Sequence, residues 1–314
     1  MFAVRCIGVS LAIFVLLYGA LSLAVASGWK LAHRACGHLS ARHEADLLCT
    51  LRMLPFALSA AVTLAYTLPS FLLLEPKSTD EPFGPPLLVL GFCCLGLMAA
   101  GVFRGAVAQA RTSRTLSAWM NGATVIESGT TVPVFCTGKN APSLTVAGVC
   151  APRVLVSETA VAILTGQELR TALQHEIAHV RRHDNLKKLL FRFSAFPGMA
   201  RLESAWSEAA EMAADDAAVA SFSDALDLAA ALIKLSRFAP VQPSAELTTA
   251  LLHTSPGSLS TRVERLFAWS VEPSPATYRW WYAAPLVLAT LFCAAMTYST
   301  ALASMHEVTE WIVR

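Results

Sequence analysis

Four apolar stretches, almost free of charge, alternate with polar segments along the chain at Val4–Ala26, Pro55–Leu74, Pro86–Val107 and Tyr282–Leu302. Each has about the 20 residues that an α-helix needs to cross a hydrocarbon core ~30 Å thick, so each predicts a transmembrane helix. Between the third and the fourth lies a more polar stretch, Ala108–Arg279, long enough to bury a core of its own. The pattern divides the chain into residues 1–107, three transmembrane helices with short loops; 108–279, an inserted polar domain; and 280–314, a fourth transmembrane helix with a short tail. The first stretch ends in Ala24-Val25-Ala26, the form of a signal-peptidase site. It is longer than the roughly 7–15 residues of a signal-peptide core and is followed by Lys30 and Arg34, so it reads as a retained span.

Inside the polar stretch, Ala108–Asn121 continues the third helix. From Ala123 to Ser157 the composition shifts to Val, Thr and Gly with interspersed prolines, which predicts short strands at Thr131–Cys136, Ser143–Val149 and Arg153–Val156. Helices are expected from Ser157, again from about Gln167 beyond Gly166, over Ala205–Ala231 with an interruption near Ser221–Ser223, and at Ser260–Trp269. The fold class expected is a mainly α membrane protein whose inserted domain is α+β.

Composition agrees with the membrane reading. The chain is 55% apolar and 15% charged, with a mean hydropathy of +0.52, whereas about a quarter of a soluble domain is charged. Lys30, Arg34, Arg42 and Arg52 lie in the first loop, and Arg104, Arg111 and Arg114 at and beyond the end of the third stretch, while the loop near Glu75 is acidic. Cationic loops stay cytoplasmic, which predicts both termini outside and the polar domain inside. A net charge of +2 spread in this way gives no reason to expect nucleic acid as a partner. The eight cysteines fall in spans or in segments predicted to be cytoplasmic, so no disulfide framework is expected.

Residues 175–179 read His-Glu-Ile-Ala-His on a predicted helix. Four helical residues turn by about 400° and rise about 6 Å, so His175 and His179 share a face and can reach one ion. Glu176 projects beside them, placed to act as a general base toward water on the metal rather than as a ligand. A catalytic zinc site takes three protein ligands and keeps one position open. Glu211 and Asp215, four apart on another predicted helix, can supply the third ligand and a carboxylate that orients one of the histidines. Glu208 is a rival for the third ligand. His183 continues the face beyond His179 but lies about 12 Å from His175 along the axis, which leaves it a surface role or a contact to substrate or transition state. The bland alternative is two solvated helices carrying ordinary His and Glu. His33, Cys36, His38, His43 and Cys49 match no zinc template.

With Gly148–Ser157 (GVCAPRVLVS), His175–Asp184 (HEIAHVRRHD), Glu211–Asp215 (EMAAD) and Thr261–Leu266 (TRVERL), the sequence resembles the BlaR/MecR family of integral-membrane gluzincin metallopeptidases. The resemblance covers nearly the whole chain. It implies a zincin-like protease domain between the third and fourth spans, one Zn2+ per chain, and residence in a bacterial cytoplasmic membrane. It also implies hydrolysis of a cytoplasmic or membrane-associated regulatory protein, such as a transcriptional repressor. Family members that sense β-lactams continue into a penicillin-binding domain; this sequence stops 12 residues after Leu302, so no β-lactam-binding role is expected. A quality-control protease similar to the HtpX and CAAX-protease family, and a non-catalytic signalling scaffold, are the alternatives. A substrate segment is expected to lie along an edge strand within Thr131–Val156.

Overall fold

The computed structural model describes residues 2–35, 39–75, 84–126, 132–138, 141–238, 247–250, 256–269 and 297–310. Among them, three helical runs are long and apolar enough to cross a membrane: Phe2–Leu31, Ala41–Leu74 and Pro85–Met120. They belong to α1 (Phe2–Ala35), to α2 (Ala41–Val62) running through a π-helical turn at Thr63–Thr67 into α3 (Leu68–Leu74), and to α4 (Pro85–Met120). Most of the expected fourth span, Tyr282–Leu302, lies outside the described residues; 297–310 is helical.

The chain forms two compact units, one of Met1–Lys30, Leu51–Ala100 and Ser274–Arg314, the other of Leu31–Thr50 and Gly101–Pro273. In the first, Cys6, Val9, Ile13, Phe71 and Leu87 pack together, and Phe56 sets its ring edge-on to Phe14 and Tyr18. The π-helical turn has a local cause. Pro69 follows it within the first turn of α3 and has no N–H for the carbonyl four residues back. That carbonyl, on Ala65, accepts the Tyr298 hydroxyl at 2.8 Å. In lipid a backbone oxygen must be satisfied from within the protein, and a side chain distant in sequence supplies it here.

The second unit holds a five-stranded mixed sheet in the order β1-β2-β4-β3-β5. Its strands are β1 (Thr124–Ile126), β2 (Val134–Thr137), β3 (Leu144–Ala147), β4 (Arg153–Ser157) and β5 (Thr248–Ala250). Only β2 and β4 run parallel. On one face, Leu144 opposite Val156 and Val146 opposite Val154 join a core with Ala225, Leu228, Leu232 and Leu235, as the two-residue period of a strand dictates. The turn between β3 and β4 needs Gly148, whose φ is 99° and whose added Cβ would meet the Ala151 carbonyl oxygen at 2.7 Å.

The helices are α5 (Glu158–Ile163), α6 (Gly166–Arg182), α7 (Asp184–Phe193), α8 (Ala200–Ala218), α9 (Phe222–Phe238) and α10 (Pro256–Phe267). The interruption expected near Ser221–Ser223 is present at residues 219–221, between α8 and α9. It is fixed by the Asp224 carboxylate, which accepts from the backbone N–H groups of Ala220 and Ser221. The expected edge strand is corrected. β2, β3 and β4 are all interior, because the three-residue strands β1 and β5 cover β2 and β3 and take the edges.

Candidate metal centre

The helix that carries the motif is fixed at both ends by its own residues. Thr165 caps α6 and exchanges hydrogen bonds with Glu168 in a capping box, and Lys234 of α9 holds the Glu168 carboxylate at 2.7 Å. At the other end, His183 adopts φ 55°, ψ 38°. This left-handed residue stops α6 and lets α7 begin at once in a new direction. α6 lies against β3, α8 and α9, so its inward face is buried.

On that face the Nε2 atoms of His175 and His179 stand 3.2 Å apart. The Glu211 carboxylate, from α8, closes a triangle with them, Oε2 lying 3.5 Å from His175 Nε2 and Oε1 3.6 Å from His179 Nε2. Tetrahedral bonds of 2.0–2.1 Å place neighbouring ligand atoms about 3.3 Å apart, and one donor atom from each of the three residues lies within 4.8 Å of the others, close enough to hold one small cation. All three residues are buried, and the group meets the geometry of a metal site. Glu208, the rival ligand, is exposed on the same helix, and Glu211 takes the position.

A second layer turns the histidines toward that point. His175 Nδ1 lies 2.9 Å from Asp215 Oδ1, and His179 Nδ1 lies 2.8 Å from Asp184 Oδ2. His179 Nδ1 hydrogen-bonds the Asp184 carboxylate and His175 Nδ1 faces Asp215 within ion-pair distance, which leaves each Nε2 facing inward. Arg262, from α10, grips Asp215 through Nε at 2.8 Å and Nη2 at 2.7 Å, and reaches Glu211 Oε2 with Nη1 at 3.0 Å. Its guanidinium is buried, and the fork-shaped pairing holds two carboxylates of α8 with one cation.

The charges respond accordingly. Burial opposes the charge on His175, but Asp215 and Glu211 override it and raise its pKa to about 9. Burial pushes Glu211 and Asp215 upward, yet His179 and Arg262 outweigh this for Glu211, and Arg262 and His175 for Asp215, so both stay ionised. Glu176 differs. It is completely buried, neither carboxylate oxygen has a hydrogen-bond partner among the described residues, and desolvation raises its pKa to about 7 against the pull of His175 and His179. An acid poised near neutrality beside the ligands suits proton transfer.

His183 is exposed and is not one of the converging ligand-type residues. With His179, Gly148, Cys150 and Pro152 it lines a surface depression between the β3–β4 turn and the junction of α6 with α7. Helical periodicity assigns no role to Asp184 or Arg262. A continuing helix would turn residue 184 about 140° away from residue 179, and only the left-handed His183 brings it back. Arg262 is 47 residues from Asp215, with no spacing rule to connect them. Asp184→Asn is expected to weaken metal affinity by about 10–100-fold, read by competition with a chromogenic chelator, because His179 loses the anion that orients it.

No protein-family model and no curated protein matches this chain.

Proposed function

We propose that the protein is a membrane-bound zinc metalloendopeptidase of the BlaR/MecR type, cutting a cytoplasmic or membrane-associated regulatory protein of the repressor class. The observation that carries this reading is the convergence of His175, His179 and Glu211 beside a buried carboxylate, Glu176, that has no hydrogen-bond partner among the described residues. Two imidazoles and a carboxylate form a donor set suited to zinc with a fourth position open. When bound, zinc supplies Lewis acidity, lowering the pKa of water toward ~7 and polarising a carbonyl.

The remaining steps belong to the protein's own side chains. Glu176 accepts a proton from the attacking water and delivers it to the leaving amine, so hydrolysis consumes one water and leaves the carboxylate as it began. Asp215 and Asp184 hold the two histidines in register, and Arg262 holds Asp215 and Glu211. The depression lined by His183 and the β3–β4 turn supports approach of the peptide from that side. Chelator-treated protein in detergent is expected to stop cutting an unfolded test polypeptide and to recover with zinc but not with magnesium, which prefers octahedral oxygen sites. Cleavage that persists after complete metal removal would overturn the reading.

A further inference from the structure

A second convergence of ligand-type side chains lies in the unit that holds the described apolar helices, and the proposed peptidase chemistry makes no use of it. Glu75 caps the end of α3, and His306 and Glu310 sit one turn apart on the helical segment 297–310. Glu75 Oε2 is 3.9 Å from His306 Nδ1, and His306 Nε2 is 3.8 Å from Glu310 Oε1. One donor atom from each of the three residues lies within 4.8 Å of those of the others.

Three features set this group apart from an ordinary surface cluster of carboxylates. Its centre is an imidazole, a donor that zinc and neighbouring transition metals prefer and that magnesium and calcium do not. The Glu75 side chain is only 8% exposed, and Arg5 of α1 approaches its other oxygen, Oε1, at 3.4 Å. The guanidinium thus holds the carboxylate by one oxygen and leaves the second turned toward His306, as an outer-layer partner orients a ligand. Finally, His306 Nδ1 is buried without a hydrogen-bond partner among the described residues, a costly state that a cation would relieve. The formal charges of Arg5, Glu75 and Glu310 sum to −1 with His306 neutral, so an added cation is electrostatically favoured.

We propose that Glu75, His306 and Glu310 form a second binding site, for a divalent transition-metal cation such as zinc. The donors come from α3 and from the helical segment 297–310, so an ion bound there ties these two elements together. The site is independent of the centre on α6 and α8.

The test is zinc content of the full-length protein in detergent, after equilibration with zinc and removal of the unbound metal. About two zinc per chain are expected in the wild type, and about one in His306→Ala and in Glu211→Ala. Glu310→Gln, a milder change on the solvent side, should weaken one of the two zinc-binding events and leave the other unchanged, which separates a lost ligand from a misfolded variant. A wild type that holds one zinc, lost in Glu211→Ala and retained in His306→Ala, overturns the second site. One zinc lost in His306→Ala and retained in Glu211→Ala upholds it and overturns the α6–α8 centre instead.

Discussion

Glu176→Gln is expected to reduce peptide hydrolysis by about a thousand-fold or more while leaving the metal content at the α6–α8 centre unchanged. The substitution preserves shape and removes only the capacity to take and return a proton, a contribution of about 10²–10⁴-fold for a positioned acid or base. Fold and metal should survive it. Glu176 makes no hydrogen bond to a described residue, so an amide there breaks no partnership, and it is not one of the converging ligands. Initial rates on an unfolded polypeptide, measured beside metal content on the same preparation, check both halves. Full activity in the variant would remove Glu176 from the mechanism, and loss of metal would reassign it as a ligand.

Glu211→Ala is expected to empty that centre, with zinc at α6 falling from about one per chain to nearly none. Removal of the carboxylate takes away the third donor and also the anion that the buried Arg262 reaches with Nη1 at 3.0 Å, so the loss exceeds that of a single bond. The wild-type site also carries a proton dependence. Asp215 and Glu211 raise the pKa of His175 to about 9, so zinc binding at pH 7 is expected to displace a proton from this imidazole. Affinity should rise about tenfold per pH unit between 7 and 9 from this group alone. Isothermal titration in buffers of different ionisation heat would count about one proton released per zinc at pH 7. A flat profile across that range would show that His175 is neutral before metal arrives.

The parts of the site that follow helical arithmetic were legible in the sequence. His175 and His179 on one turn, Glu211 four before Asp215, and a carboxylate set beside the metal ligands are consequences of 3.6 residues per turn, and the structure places these residues together. The second layer depends on two things that periodicity does not encode. One is a single residue of positive φ, His183, without which Asp184 would point elsewhere. The other is the return of α10 to α8, which delivers Arg262 from a segment whose sequence shows only a short amphipathic helix. In the sheet, β3 and β4 were visible as Val-rich runs. β1 and β5, three residues each, are too short to carry a period, and their positions at the edges follow from pairing rather than from composition. The apolar runs announced the long helices, but the π-helical turn at Thr63–Thr67 arises from one proline.

That turn also bears on the order in which the protein is made. The Ala65 carbonyl is bonded to Tyr298, 233 residues later in the chain. At about 5–20 residues per second, a ribosome takes on the order of ten seconds or longer to synthesise that interval. The second apolar run therefore leaves the translation machinery well before its distant hydroxyl exists. The hydrogen bond between the Tyr298 hydroxyl and the Ala65 carbonyl is one that forms only after residue 298 has been made.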